Sequence, residues 1–268
     1  MFEAIVIRPV GVVKSDYYLD PKAVTDSEEK AVVEVFPQYA DALLRIEKNS
    51  HLWILSWFHL ARRDALFTVP YRMNPNLPTY GVFALRTPVR PNPIALSLVQ
   101  LDRVEGRMLY VTGLDAVNET PVLDIKPYFE NDIVFSPRTP FIQPFKREMV
   151  QSNLLRQALT HHQEECPALL MAVRMAVIAS EKFGHLNSPD LFVMAEGSPC
   201  LADTIQGLSR ARLANPPRFE YRPSDLLGRT VWRRGGKMMS ITARRRIDKG
   251  GFGELADDDI LEVSMEAL

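Results

Sequence analysis

The sequence predicts two unlike halves: a mainly β, barrel-like N-terminal domain over residues 1–147, and an α+β domain over residues 148–268. Three observations carry this reading. β-rich runs crowd the first half, and eight prolines between Pro70 and Pro127 leave no room for long helices, because proline fixes φ and removes a backbone donor. Helical periodicity begins only after about Pro144. The chain is also long enough, at 268 residues, for two domains of roughly 100–150 residues each.

Taken in order, alternating or β-rich runs predict strands at Ala4–Val13, Ala31–Phe36, Leu52–Phe58, Gly81–Leu85, Leu96–Val104 and Met108–Gly113. The last two flank Glu105-Gly106-Arg107, a turn-like link that predicts a hairpin. One short helix is expected around Pro37–Leu44, burying Tyr39, Leu43 and Leu44. Beyond the proline-rich stretch that starts at Ser136, helices are predicted over Glu148–Thr160 and Cys166–Phe183. The second has an apolar face of Leu169, Leu170, Val173, Val177 and Ile178, and Gly184 is a helix stop. A strand at Leu191–Ala195, a helix at Leu201–Leu208 and strands at Thr230–Trp232 and Met238–Ala243 follow. The acidic tail Gly250–Leu268 is expected to be partly mobile.

Composition narrows the function. With 46% hydrophobic and 24% charged residues, the chain is neither disordered nor fibrous. Its 32 basic and 33 acidic residues give a net charge of −1, so any nucleic-acid surface must be local. No apolar run reaches the roughly 18–20 residues that span a bilayer, and the opening MFEAIVIRPVGVV lacks a basic leader and reads as a strand. Cys166 and Cys200 are too few for a disulfide scaffold. A cytoplasmic protein with no membrane partner is expected.

Two segments are too unusual for generic loops. GVFALRTPVRPNPIALSLVQL, residues 81–101, sets Arg86, Arg90 and Asn92 among three prolines between apolar strands. A stiff backbone lowers the entropy those side chains lose on meeting a ligand, and arginines four apart suit a carboxylate or phosphate. TPVLDIKPY, residues 120–128, offers Asp124 and Lys126 on one face of an extended run, with Leu123 and Ile125 on the other. SHLWILSWFH, residues 50–59, brackets an apolar strand with His51 and His59. No G-x-G-x-x-G follows a strand, which excludes an ordinary dinucleotide-type site; Gly250-Gly251-Phe252-Gly253 lacks that context.

In this order the strings PVGVVKS, VEVFPQYADAL, SHLWILSWFH, GVFALRTPVRPNPIALS and GLDAVNETPVLDIKPY resemble the TsaA-like (TrmO) family of tRNA adenine-37 N6-methyltransferases. The resemblance covers about the first half of the chain. It implies a small β-barrel that binds S-adenosylmethionine (SAM), works as a homodimer, and methylates N6-threonylcarbamoyladenosine at position 37 of tRNA. On this resemblance Arg86, Arg90, Pro91, Asn92 and Pro93 shape the cofactor pocket, an arginine holding the carboxylate. Asp124 contacts cofactor or substrate, and Ile125, Lys126 and Pro127 complete that wall. The proton acceptor is left between His59 and His51. The sequence departs from the family where Leu85 replaces threonine, Thr87 serine and Ala95 glycine, and where Asn118-Glu119 stands for the usual D-G before T-P-V.

HHQEECPALLMAVRMAVIASEKFG, residues 161–184, resembles the FmdE-like family of formylmethanofuran dehydrogenase components, with its pattern H-G-H-x-C-P and a later C-x-x-D-x-I-Q. Both cysteines fall on the pattern. Two thiolates beside an imidazole suit a soft metal, most simply zinc, with Cys166, Cys200, His162 and Asp203 as the implied ligands and Glu164 nearby. Buried free cysteines also occur with no metal, so both readings stand. The stretch Arg210–Lys249 is locally basic; it suits a phosphate backbone, a small anion, or a solvated face balanced by the acidic tail. For the activity, tRNA methylation leads. A small-molecule or metal-bound methyl acceptor presented by the second domain, and a non-enzymatic sensor of SAM and metal, stay open beside it.

Overall fold

A computed structural model describes residues 4–15 and 30–267. These residues fall into two compact units, one within the bounds Met1–Val69 and Pro78–Ile133, the other within Pro70–Leu77 and Val134–Leu268.

In the first unit six strands close an antiparallel barrel in the order β1-β2-β7-β6-β3-β8. These are β1 (Gly11–Lys14), β2 (Lys30–Val35), β3 (His51–Trp57), β6 (Ile94–Glu105), β7 (Met108–Thr112) and β8 (Pro121–Pro127); β4 (Phe67–Thr68) and β5 (Tyr80–Gly81) pair as a small ribbon between β3 and β6. Alternation puts Val13, Val33, Val35, Leu52, Ile54, Val99, Leu109, Val111 and Val122 inside, where they form the barrel core. The seam between β1 and β8 is short, pairing Gly11 with Val122 and Val12 with Pro121. It requires glycine at position 11, since a Cβ there would stand 2.5 Å from the Glu34 carbonyl oxygen.

Several expectations change in detail. The first strand is Gly11–Lys14, not Ala4–Val13: a strand exists only where neighbours supply ladder partners, and Ile5 and Val6 lie exposed ahead of β2 and β8. Gly81–Leu85 is mostly a 3₁₀ turn over Val82–Ala84. Pro37–Leu43 is likewise 3₁₀; Tyr39 and Leu43 pack on the core, while Leu44 is exposed. The β6–β7 hairpin turns at Gly106, which supplies φ +59°.

The second unit packs three helices on a five-stranded sheet. Its elements are α1 (Arg147–His162), α2 (Pro167–Phe183), β9 (Phe192–Gly197), α3 (Pro199–Ser209), β10 (Phe219–Pro223), β11 (Arg229–Arg234), β12 (Lys237–Ala243), α4 (Lys249–Glu254), α5 (Asp257–Ile260) and β13 (Leu261–Ala267). The sheet order is β10-β9-β11-β12-β13, with only β10 and β9 parallel. α2 is buried almost all round, from Leu169 to Phe183, and is the axis of the core. Cys166 is its N-cap, with Sγ accepting from Leu169 N at 3.4 Å, and Pro167 follows at the first helical position.

The tail is ordered rather than mobile. α4, α5 and β13 fill residues 249–267, and β13 pairs with β12 along its whole length. Besides the β12 ladder, the tail is tied to Arg174 on α2, whose side chain is only 4% exposed. Its guanidinium donates to the carbonyls of Phe252 and Leu255, both at 2.8 Å, and to Asp257, which also pairs with Arg147. The acidic tail therefore answers a buried cation, a link that local composition does not reveal. The basic stretch is partly neutralised in the same way: Arg222 pairs with Glu220, Arg229 with Glu196, Arg234 with Asp190 and Arg244 with Glu262.

Candidate functional site

In the first unit the candidate residues gather around β3. Leu52, Ile54 and Ser56 point inward and are buried, so Trp53, Leu55 and Trp57 face out. Register places Ile94, Leu96 and Leu98 of β6 beside Trp57, Leu55 and Trp53, and Asp124 and Lys126 of β8 beside Leu55 and Trp53. The outer face is thus an apolar platform, with Ile94, Leu96 and Leu98 between 37% and 45% exposed. Asp124 and Lys126 pair across 2.7 Å, and the other Asp124 oxygen accepts from Ile125 N at 2.9 Å. A bulge at Leu123 separates the Leu55–Asp124 and Ser56–Val122 rungs. Ile125 and Pro127 sit opposite the inward Ile54 and Leu52, on the barrel side of the strand rather than on this platform.

The arginine–proline loop lies at the end of the platform where β3 finishes and β6 begins. Phe58 N donates to Pro93 O at 2.9 Å, and Arg63 donates to Pro91 O at 3.2 Å while lying over the Trp57 ring. The two arginines differ in role. Arg90 is spent on its own loop, donating to the carbonyls of Thr87 at 2.8 Å, Val82 at 2.7 Å and Leu85. Arg86 is exposed and has no hydrogen-bond or ionic partner among the described residues. Asn92 is exposed and Pro93 buried.

The two histidines do not share a site within one chain. His59 follows the β3 end that carries the arginine–proline loop. His51 begins β3, six residues or roughly 20 Å before Trp57, beside Ser50 and edge-on to Tyr128. A cavity of about 550 Å³ lies elsewhere on the barrel, lined by Lys14, Lys30, Asp102, Arg103, Tyr110 and Asn118. Two of its three cations, Lys14 and Arg103, are paired with Glu119 and Glu105, and none of the expected site residues lines it.

The departures from the family patterns fall on revealing backbone. Glu119, where glycine is usual, has φ +64°, and its carboxylate meets Lys14 Nζ at 2.7 Å. Gln163, which takes the glycine place of H-G-H-x-C-P, has φ +61° and caps α1 in the left-handed conformation. Both turns keep the glycine geometry without the glycine.

In the second unit a ring nitrogen of His162, Cys166 Sγ and Cys200 Sγ lie within 4.8 Å of one another. His162 and Cys166 are held by the α1 end and the α2 cap, and Cys200 by the first turn of α3. The Sγ–Nε2 distance of 3.7 Å matches the roughly 3.6 Å separation that tetrahedral zinc imposes on ligands bound at about 2.3 and 2.0 Å. The donor set therefore fits zinc, which His162, Cys166 and Cys200 would hold. Burial first, and then the adjacent Cys166 sulfur, raise the Cys200 thiol's pKa, so a bound cation would have to displace its proton. Asp203 stands behind the imidazole: its carboxylate meets His162 Nδ1 at 2.7 Å and His161 Nε2 at 3.2 Å. His161 was not singled out in the sequence; the signals that could have found it are the histidine doublet and its spacing to Asp203 and Gly207 on one face of α3.

A closed six-stranded barrel bearing an arginine–proline loop, joined to an α+β unit that gathers two thiols and an imidazole, defines a two-module protein. The family profile described as tRNA-methyltransferase O N-terminal domain matches residues 17–132, and that described as FmdE, molybdenum formylmethanofuran dehydrogenase operon, matches residues 161–253. A probable S-adenosyl-L-methionine-binding protein of Methanothermobacter thermautotrophicus is 44% identical over 128 residues, which are 47% of this chain and 90% of that protein. A probable S-adenosyl-L-methionine-binding protein of Archaeoglobus fulgidus is 37% identical over 219 residues, 78% of this chain but 59% of that protein's length. The human tRNA (adenine(37)-N6)-methyltransferase is 40% identical over 97 residues, 35% of this chain and 21% of that protein. The chain belongs to the TrmO N-terminal-domain family, with an FmdE-family domain following the barrel. No described helix is long and apolar enough to cross a membrane.

Proposed function

We propose that the chain is a SAM-dependent methyltransferase whose acceptor is N6 of threonylcarbamoyladenosine at position 37 of tRNA. The observation that carries the reading is the exposed Arg86, without a partner among the described residues, on a loop that Arg90 and three prolines brace, in a barrel of this family. SAM supplies an electrophilic methyl group on a sulfonium. Arg86 holds its carboxylate with paired donors, and Pro91, Asn92 and Pro93 shape the rim of the pocket. The acceptor nitrogen is urea-like and weakly nucleophilic, so its proton needs an acceptor; His59 is at the loop's end of β3 and takes that role before His51. Asp124 and Lys126 provide polar contacts along the platform.

The platform is open in one chain, and its half-exposed Ile94, Leu96 and Leu98 are an apolar surface suited to a second copy, which supports a homodimer through the barrel. Size measurement of Leu96→Glu tests this: the variant should be monomeric, and an unchanged dimer would refute the face. In the second unit Cys166, Cys200 and His162 would hold zinc. A set of three protein ligands, one fewer than closed structural zinc sites use, favours a second reading, in which the methyl acceptor is a small molecule or metal-bound group presented there. Transfer of labelled methyl from SAM to bulk tRNA, run against a small-molecule extract, separates the readings. Label in tRNA that vanishes when position-37 threonylcarbamoylation is absent supports the first; label only in small molecules supports the second. Label in neither, with SAM still bound, would leave a sensor.

A further inference from the structure

We propose that Asp203, His161 and Gly207 form an outer shell that fixes the tautomer and direction of His162, so that its Nε2 lone pair faces the two sulfurs. The inference rests on the metal reading of that cluster, and it makes Asp203 a positioning residue instead of a ligand.

The geometry runs from the carboxylate inward. An ionised carboxylate only accepts hydrogen bonds, so a ring nitrogen facing it at 2.7 Å must carry the proton. For His162 that nitrogen is Nδ1, so in the neutral ring the lone pair is on Nε2, 3.7 Å from Cys166 Sγ. The other Asp203 oxygen is taken by His161 Nε2 at 3.2 Å. With both oxygens engaged by rings on the α1 side, Asp203 has none turned to the sulfurs, and it is absent from the group whose donor atoms converge within 4.8 Å.

His161 reaches Asp203 because α3 has no side chain at position 207. A Cβ there would stand 2.3 Å from His161 Cδ2 and 2.5 Å from Cγ, so Gly207 provides the recess in which that ring lies. Asp203 and Gly207 are four apart and share a helix face. His161 and His162 are consecutive at the end of α1, and Gln163 reverses the chain at φ +61°, which lets both rings turn to one carboxylate. Such carboxylate–imidazole contacts orient ligating rings, and their loss typically lowers metal affinity about 10–100-fold.

The test compares wild type with Asp203→Asn, His161→Gln, Gly207→Ala and Cys166→Ser. Zinc affinity is measured by chelator competition, and the charge-transfer spectrum of the cobalt-substituted protein is recorded. Asp203→Asn should bind zinc about 10–100-fold more weakly with a shifted cobalt spectrum, and His161→Gln should fall in the same direction, both with near wild-type thermal unfolding of the metal-free protein; Gly207→Ala should also weaken zinc, with some loss of stability as the His161 ring is displaced. Nitrogen-15 spectra of the metal-free protein should show His162 as the Nδ1–H tautomer in wild type and a mixture in Asp203→Asn. Zinc affinity within threefold of wild type in Asp203→Asn, or a wild-type His162 protonated at Nε2, would overturn the proposal. Equal zinc content in wild type and Cys166→Ser would instead remove the metal reading, with the tautomer still deciding the role of Asp203.

Discussion

Replacing Arg86 and Arg90 one at a time should separate ligand binding from loop architecture. Arg90 donates to three carbonyls of its own loop, two of them at 2.7 and 2.8 Å. At about 0.5–1.5 kcal/mol net per bond, and discounting for water reaching a half-buried loop, Arg90→Ala should cost about 2–3 kcal/mol. For a unit of this size that lowers Tm by roughly 5–12 °C. Arg86 has no partner to lose among the described residues, so Arg86→Ala should shift stability by at most about 0.5 kcal/mol. A charge-assisted bond to a carboxylate contributes about 1.5–3 kcal/mol, so the same variant should bind SAM roughly 10–150-fold more weakly. Calorimetric titration with SAM and thermal unfolding of both variants provide the readings. Arg86→Ala binding SAM within twofold of wild type, or Arg90→Ala unfolding at the wild-type temperature, would refute the division of labour.

Other outcomes follow from features of each unit. Arg174→Met should destabilise the second unit by about 3–5 kcal/mol, because it strands Phe252 O and Leu255 O and breaks a buried pair with Asp257; hydrogen exchange should speed up in β13 before α2. Glu119→Gly should be neutral or stabilising by up to about 1 kcal/mol, since relief of a left-handed φ outweighs an exposed ion pair, whereas Glu119→Ala should destabilise; chemical denaturation distinguishes them. His185 stacks on Phe141 at 4.7 Å, and burial, with Arg234 nearby, holds its pKa below the usual 6.5. The unfolded chain therefore binds the proton first, and stability falls as pH drops from 6.5 towards the depressed native value. Urea midpoints should show that slope in wild type and a shallower one in His185→Phe.

The alternation of β3, β6 and β8 and the periodicity of α2 were readable because each buries one continuous apolar set, and the hairpin at Gly106 because its turn chemistry is local. The first strand was overextended because Ile5 and Val6 have strand propensity but no partner, and propensity carries no information on ladders. β10 and β13 were missed for the opposite reason: FEYRP and LEVSMEA are short or charge-rich and become strands only by joining β9 and β12. The ordered tail depends on Arg174, some 80 positions away from Asp257 in the chain. At the candidate sites, the residue types were visible in the motifs, but the partition of roles was not. That Arg90 braces while Arg86 has no partner among the described residues, and that Asp203 faces a ring nitrogen, depends on side-chain direction rather than on spacing.

Cys166 belongs to two systems at once. Its sulfur accepts the Leu169 N–H in the first turn of α2, the helix at the centre of the second unit's core, so the thiol's position is tied to that packing. Whatever claims that sulfur's lone pairs, whether a cation or an oxidant, also draws on the helix's own terminal hydrogen bond. Occupancy at the cluster and the stability of the α2 start are consequently linked equilibria, and a substitution that loosens the first turn of α2 should register as a change in reactivity at the thiol.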